Sequence, residues 1–200
     1  MATEPDLAAQ KKALRDLVRA KRRELSAEYL SQAAQNIADN FIAHHPNLSP
    51  KIMAGYWPGR FEASPLVLMQ SLADKFQFKL CLPVVVAHEQ PLIFRQWQPG
   101  DELIKGNSAM TPKPNAPILI PDFLLVPLIA FDSSGGRLGQ GGGFYDRTLA
   151  ELRAANPQLR AIGIALDVQK IDQVPRDQFD LLLDAVVTET HYLDCALLLQ

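Results

Sequence analysis

The stretch Ser134-Gly135-Gly136-Arg137-Leu138-Gly139-Gln140-Gly141-Gly142-Gly143-Phe144-Tyr145-Asp146-Arg147 combines the residue types that hold an anion. Six of the chain's eleven glycines fall within nine positions there. An apolar run, Phe123 to Phe131, leads in, and a helix-like segment from Tyr145 to Ala155 leads out. Strand, glycine loop and helix together aim backbone N–H groups at a phosphate, and the helix N-terminus adds partial positive charge. Arg137 brings a planar fork of donors suited to phosphate. Asp146, at the helix start, has the chemistry to hold a metal beside that phosphate. The competing reading is a plain tight turn with Asp146 as a cap. A standard phosphate loop would need Lys and a hydroxyl after Gly141, where Gly142 and Gly143 stand. The dinucleotide fingerprint fails because Phe144 follows Gly139 and Gly141 where a small residue belongs. The balance favours an anion site of neither familiar kind.

Three further constellations are ambiguous on spacing alone. Lys11 and Arg15 lie four apart and share a helical face. That face is either a clamp on a polyphosphate or a solvated basic surface, and spacing favours the surface. Glu62 follows Gly59-Arg60-Phe61, just before a helix. It is either a ligand for N–H groups or an ordinary loop acid, with Trp57 nearby as an aromatic wall or a local packing residue. Asp180 and Asp184 bracket an apolar triplet. Either they add an acid to a magnesium site or they flank a buried strand.

The elements that must position these residues follow from patterning. Residues 7–25 and 27–43 read as helices, with Ser26 as an N-cap. Lys51 to Tyr56 reads as a strand, and Ser64-Pro65 opens a helix through Ala73. Phe78 to Leu82 and Leu92 to Gln96 read as strands. The five prolines of 99–121 predict a long ordered loop. Residues 123–130, 160–165 and 185–188 read as strands. Strands alternating with helices predict an α/β protein with a mostly parallel sheet covered on both faces. Ligands then bind beyond the carboxyl ends of the strands, where the Trp57–Glu62 loop and the glycine loop would share one cleft.

Composition narrows the classes. Two hundred residues suit a single domain, 1–200. The net charge of −2 exerts no bulk pull on nucleic acid or membrane, although residues 11–23 hold seven of the twenty Lys and Arg. Lys21-Arg22-Arg23 lacks the interleaved aromatics of a nucleic-acid surface. Cys81 and Cys195 have no metal or redox spacing and fit a reducing cytosol. The first residues lack the apolar core of a signal peptide, and the longest apolar region, Pro117 to Phe131, holds Asp122 and three prolines, so no membrane span is expected.

Taken together, these residues resemble the 5-formyltetrahydrofolate cyclo-ligase family. Arg137 to Asp146 matches its Arg-Leu-Gly-x-Gly-x-Gly-[Phe/Tyr]-Tyr-Asp block. Lys11 with Arg15, Trp57 with Glu62, Leu82-Pro83-Val84, Val126-Pro127, Phe131-Asp132, Ile162 to Ala165 and Val187-Thr188-Glu189 match in order along nearly the whole chain. The resemblance implies a single Rossmann-like domain that closes 5-formyltetrahydrofolate to 5,10-methenyltetrahydrofolate with ATP and Mg2+. It implies ATP contacts from Lys11, Lys12, Ala13, Leu14 and Arg15, and from Arg137, Leu138, Gly139, Gln140, Gly141, Gly142, Gly143, Phe144 and Tyr145. It implies folate contacts from Arg15, Trp57, Glu62, Gln140 and Phe144. Arg137 and Tyr145 would act on the reacting groups, and Asp146 with Asp180 would hold magnesium. The implied partner is the folate alone, with or without a polyglutamate tail, bound by a cytoplasmic monomer.

Three positions depart from relatives. Gln140 and Gly142 replace basic residues in the loop, and Phe144 replaces a tyrosine. The segment Ser108 to Pro114 lacks a large aromatic. Two other readings remain: a phosphosugar isomerase or CoA-transferase relative using the loop for a substrate phosphate, and a non-enzymatic module binding nucleotide or nucleic acid through the basic helix.

Overall fold

The computed structural model describes residues 6–49, 51–107 and 109–195. Ser108 and the two ends of the expected 1–200 unit lie outside the described residues.

A seven-stranded sheet runs through the molecule in the order β11-β10-β9-β6-β1-β2-β3. The central five strands are parallel: β10 (Ala185–Val187), β9 (Arg160–Ile164), β6 (Phe123–Pro127), β1 (Ile52–Ala54) and β2 (Lys79–Val84). The edges β11 (Tyr192–Asp194) and β3 (Ile93–Gln96) are antiparallel. Chain order reverses between β1 and β6, which makes their carboxyl ends the switch point where such sheets open a crevice.

Burial follows the two-residue period of a strand covered on both sides. Leu125, Ile162, Met53 and Val187 pack with Ile37 and Phe41 of α2 (Ala27–Ala43) and Leu68 and Leu72 of α3 (Leu66–Phe76). Leu124, Val126, Ala161 and Val186 point the other way and pack with Leu149 of α4 (Phe144–Ala155). The expected α/β architecture, a mostly parallel sheet with helices on both faces, is therefore present.

The first helix, α1 (Leu7–Arg23), lies across the carboxyl end of the sheet. Its Val18 packs with Ile129, Ala130, Leu138 and Val174 in a small core of its own. Asp6 caps it by accepting from the Ala8 N–H at 2.7 Å, and Lys21, Arg22 and Arg23 complement the dipole at its last turn. Ser26 caps α2 as expected, accepting from the Tyr29 N–H at 3.1 Å. Among the described residues no helix is long and apolar enough to cross a membrane.

Three sequence expectations are corrected. The proline-rich segment is not all loop: β4 (Leu103–Lys105) and β5 (Met110–Pro112) form an antiparallel hairpin in it. The strand expected over 123–130 ends at Pro127, which has no N–H to continue the ladder. The chain then re-pairs as β7 (Ala130–Phe131) with β8 (Arg137–Leu138), so Arg137 rides on a strand rather than on a free loop.

Candidate functional site

Asp132 builds the turn that delivers Arg137. Its Oδ1 accepts from Ser134 N–H (2.9 Å), Ser134 Oγ (2.6 Å) and Gly136 N–H (3.0 Å), and its Oδ2 from Val174 N–H (2.8 Å). Only 2% of the residue is exposed. Burial works to raise its pKa, but the hydrogen bonds from Ser134, Val174 and Gly136 outweigh it and hold the carboxyl below its ordinary value. Gly136 is required by close approach, since a Cβ there would lie 2.4 Å from Asp132 Oδ2.

Beyond the turn, β8 places the Arg137 guanidinium at the start of α4. Its Nη2 donates to Asp146 Oδ1 at 2.5 Å, and its carbon lies 5.9 Å from the Tyr145 ring centre. The Arg137 side chain is 4% exposed and the Asp146 side chain 20%. Asp146 Oδ1 also accepts from the Leu181 N–H at 3.3 Å, which draws in the segment carrying Asp180. The helix start has no side-chain cap: Gly143 occupies the N-cap position with φ +64°. The first amides of α4 therefore remain available to an anion. Burial pushes the Tyr145 phenol well up, so it stays protonated at neutral pH and serves as a donor rather than a base.

The basic helix turns inward. Lys11 Nζ donates to Asp180 Oδ2 (2.6 Å) and Asp177 Oδ2 (3.2 Å). Burial works against the Lys11 charge, but its bonds to Asp180 and Asp177 outweigh that and raise its pKa. Arg15 Nε donates to the Gly139 carbonyl at 2.8 Å, and Arg19 Nη2 to Gln140 Oε1 at 2.6 Å. Gln140 Nε2 in turn donates to Glu62 Oε1 at 3.1 Å, joining the glycine loop to the loop after β1. Glu62 also folds back on that loop, accepting from the Gly59 N–H at 2.9 Å. Trp57 stands edge-on to Trp97 with ring centres 6.1 Å apart.

These groups surround one cavity of about 1130 Å3 beyond the carboxyl ends of β1 and β6. It collects Lys11, Arg15, Trp57, Glu62, Arg137, Leu138, all five residues Gly139 to Gly143, Phe144, Tyr145, Asp146 and Asp180. The two loops expected to share a cleft do so. Lys12, Ala13 and Leu14 do not line it. The helix pitch turns Lys12 out to Asp16 (2.8 Å), leaves Ala13 exposed and packs Leu14 on the small core. Asp184 is structural: its Oδ2 accepts from Arg153 Nη2 (2.9 Å) and the Ala161 N–H (2.6 Å).

Sequence reasoning missed Asp132, Arg19, Arg147, Thr111 and Phe179. Arg147, Thr111 and Phe179 also line the cavity. Arg19 had a findable signal, because it continues the four-residue step from Lys11 and Arg15. Asp132 had a partial one, since Ser134 and Gly136 follow it at the spacing of a local turn, and only Val174 is joined to it by the fold.

A deep cavity at the switch point of a parallel sheet, with an uncapped helix start and three inward cations, defines an α/β protein equipped for an anionic ligand. The model of the 5-formyltetrahydrofolate cyclo-ligase family matches residues 7–189. The chain is 32% identical over 180 residues to the 5-formyltetrahydrofolate cyclo-ligase of Escherichia coli (strain K12), covering 86% of this chain and 96% of that protein. Its fold is similar to the NMR structure of a 5,10-methenyltetrahydrofolate synthetase from Aquifex aeolicus, with TM-score 0.77, 28% identity and 92% of each chain covered. It is also similar to that of a 5,10-methenyltetrahydrofolate synthetase from Mycoplasma pneumoniae, with TM-score 0.72, 27% identity, and 90% of this chain and 98% of that one covered. The chain belongs to the 5-formyltetrahydrofolate cyclo-ligase family, a family of ligases.

Proposed function

We propose that the protein converts 5-formyltetrahydrofolate to 5,10-methenyltetrahydrofolate, with ATP as phosphoryl donor and ADP and phosphate as co-products. The observation that carries this reading is the meeting, in one cavity, of the Arg137 and glycine-loop apparatus with the Trp57–Glu62 loop. One half suits a triphosphate and the other a flat heterocycle bearing N–H donors.

A formamide is a poor electrophile whose oxygen would have to leave as hydroxide. Transfer of the γ-phosphoryl to that oxygen gives an iminium-like carbon with a phosphate leaving group. N10 attacks this carbon, its proton is lost, the five-membered ring closes, and phosphate departs with the former formyl oxygen. Phosphoryl transfer asks mainly for positioning and neutralisation of charge. Arg137, the amides of Gly141 to Tyr145, Lys11 and Arg15 supply both. Tyr145, held protonated by burial, donates to the developing charge. Glu62 accepts from the N–H groups of the pterin while Trp57 and Phe144 bound its faces. Bound ATP and folate would displace the water that would otherwise hydrolyse the activated formyl group.

Magnesium fits as a shared rather than a caged ion. No group of three or more metal-ligating side chains exists among the described residues. Asp146 and Asp180 both line the cavity, and two carboxylates completed by phosphate oxygens and waters suit this cation. When bound there it would neutralise charge on the transferring phosphates. Both cysteines are free thiols, which suits the cytosol.

The test is absorbance at the methenyl band with ADP followed in parallel. Absorbance growth that requires Mg-ATP and matches ADP one for one is expected. Nucleotide binding without absorbance change overturns the folate chemistry and leaves a phosphate site.

A further inference from the structure

The glycine loop carries no charge of its own, since residues 139–143 run Gly-Gln-Gly-Gly-Gly. Any cation that meets a triphosphate there must reach in from outside the loop. Two cations that line the cavity are already engaged with acids, Arg137 with Asp146 and Lys11 with Asp180 and Asp177. Arg147, the fourth residue of α4, lines the same cavity. Among the described residues no carboxylate lies within salt-bridge reach of it.

The Arg147 side chain folds back over the loop. Its Nη2 donates to the Gly142 carbonyl at 2.6 Å, and its guanidinium carbon lies 5.4 Å from the Phe144 ring centre. Its Nε is shut off from water and has no hydrogen-bond partner. The approach depends on glycine, because a Cβ at Gly143 would lie 2.7 Å from Arg147 Nη1. A guanidinium offers five N–H donors, and a buried one without an acceptor is costly. Arg15 grips the other end of the loop in a similar way, with its Nε on the Gly139 carbonyl at 2.8 Å.

The position is also electrostatically unfavourable in an empty site. The start of a helix carries partial positive charge, and a guanidinium laid against it is repelled. A phosphate between the two reverses the sign, because both then face an anion. A planar fork of unsatisfied donors beside uncapped amides suits that ligand. We propose that Arg147 is a triphosphate-binding residue of this site, supplying from α4 the positive charge that the glycine loop lacks. The proposal rests on the ATP reading of the cavity.

The parent chain is compared with Arg147→Gln and Arg147→Lys. Both replacements are good helix formers at a partly exposed position, so the fold is retained. Calorimetry gives the dissociation constant of Mg-ATP at low and high salt, and steady-state kinetics gives kcat and both KM values. Arg147→Gln is expected to weaken Mg-ATP binding about tenfold, the loss of one charge-assisted hydrogen bond. Arg147→Lys keeps the charge and should stay within about threefold of the parent. The gap between parent and Arg147→Gln should narrow as salt rises. The KM for ATP should follow the dissociation constant, while kcat and the KM for 5-formyltetrahydrofolate change by less than about threefold. Equal losses in the two variants would mean that Arg147 only props the Gly142 carbonyl, and would overturn the proposal. Unchanged Mg-ATP affinity in Arg147→Gln overturns it too, and leaves the cyclo-ligase reading standing. A parent chain that binds no Mg-ATP removes the ATP reading and this role together.

Discussion

The glycine-loop side of the cavity and the groove beyond Trp57, which Arg19, Arg22, Arg23 and Arg60 line, carry similar charge and handle it differently. On the glycine-loop side, Arg137 is bound to Asp146 at 2.5 Å, and Lys11 to Asp180 and Asp177 at 2.6 and 3.2 Å. Beyond Trp57, Arg22, Arg23 and Arg60 have no such partner among the described residues. A paired cation is held in a fixed direction, but an incoming anion must share it with the carboxylate already there. The exchange balances only if the carboxylate gains a cation in return. Asp146 and Asp180 are the two acids proposed for magnesium, and on that proposal metal and triphosphate suit each other's arrival. An unpaired cation needs no exchange, and it answers to any anion that fits. The difference teaches that fixed geometry, wanted where a bond is made, is compatible with internal pairing, whereas readiness for an incoming anion is not.

The largest effect is expected on the paired side. Arg137→Ala should cost on the order of 3 kcal/mol of transition-state stabilisation, read as a fall of about a hundredfold in kcat/KM. An unchanged kcat/KM would dissolve the contrast. Next comes the turn beneath that arginine. Asp132→Asn should lower unfolding stability by about 2 kcal/mol in a denaturant titration, because one carboxylate accepts all four hydrogen bonds. The sign with pH follows from its depressed pKa. This contribution is present above the ordinary value of 3.8 and is lost as pH falls through the lower folded value. A parent and variant that lose stability in parallel over that window would contradict it.

A third experiment sharpens the comparison directly. Free Mg2+ in calorimetry should bind at least about tenfold more weakly than it does in the presence of a non-hydrolysable ATP analogue, since Arg137 and Lys11 hold its ligands until phosphate arrives. Equal affinities would show that the pairs do not compete. A smaller effect belongs to the bridge between the two sides. Gln140→Ala removes the links to Arg19 and Glu62 and should change stability by less than about 1 kcal/mol, because Gln140 is exposed. A larger loss would mean the bridge is structural. The smallest effect lies far from either side. Burial lowers the pKa of His45, which packs on Phe41 and Tyr192. Stability should therefore decline as pH falls from the unfolded value of about 6.5 toward the folded one, and His45→Gln should flatten that decline.

Much of this was legible in the sequence because it is local. The capped helices, the alternating strands and the glycine run each depend on neighbours within a few positions. The anion-binding character of 135–146 is of this kind, since strand, glycines and helix start are contiguous. The edge strand Tyr192–Asp194 and the hairpin inside 99–121 were not legible. Both are short, and the prolines around the hairpin mask its alternation. The charged face of α1 was read as solvated because spacing says which residues share a face and nothing about what that face meets. Lys12 through Leu14 travelled with Lys11 and Arg15 as one segment, although a helix turn separates their directions.

The amino-acid order by itself determined the α/β class, the covered parallel sheet and the loop that suits a phosphate, because hydrophobic period, caps and glycine freedom act over one or two turns of chain. Only the tertiary structure decided which charges meet. Arg137 finds Asp146 nine residues away, but Lys11 finds Asp180 across 169 and Gln140 finds Glu62 across 78. No local rule links such positions. They meet because β1 and β6 lie side by side with α1 across their carboxyl ends, and burial there leaves each charge to find a partner or wait for one.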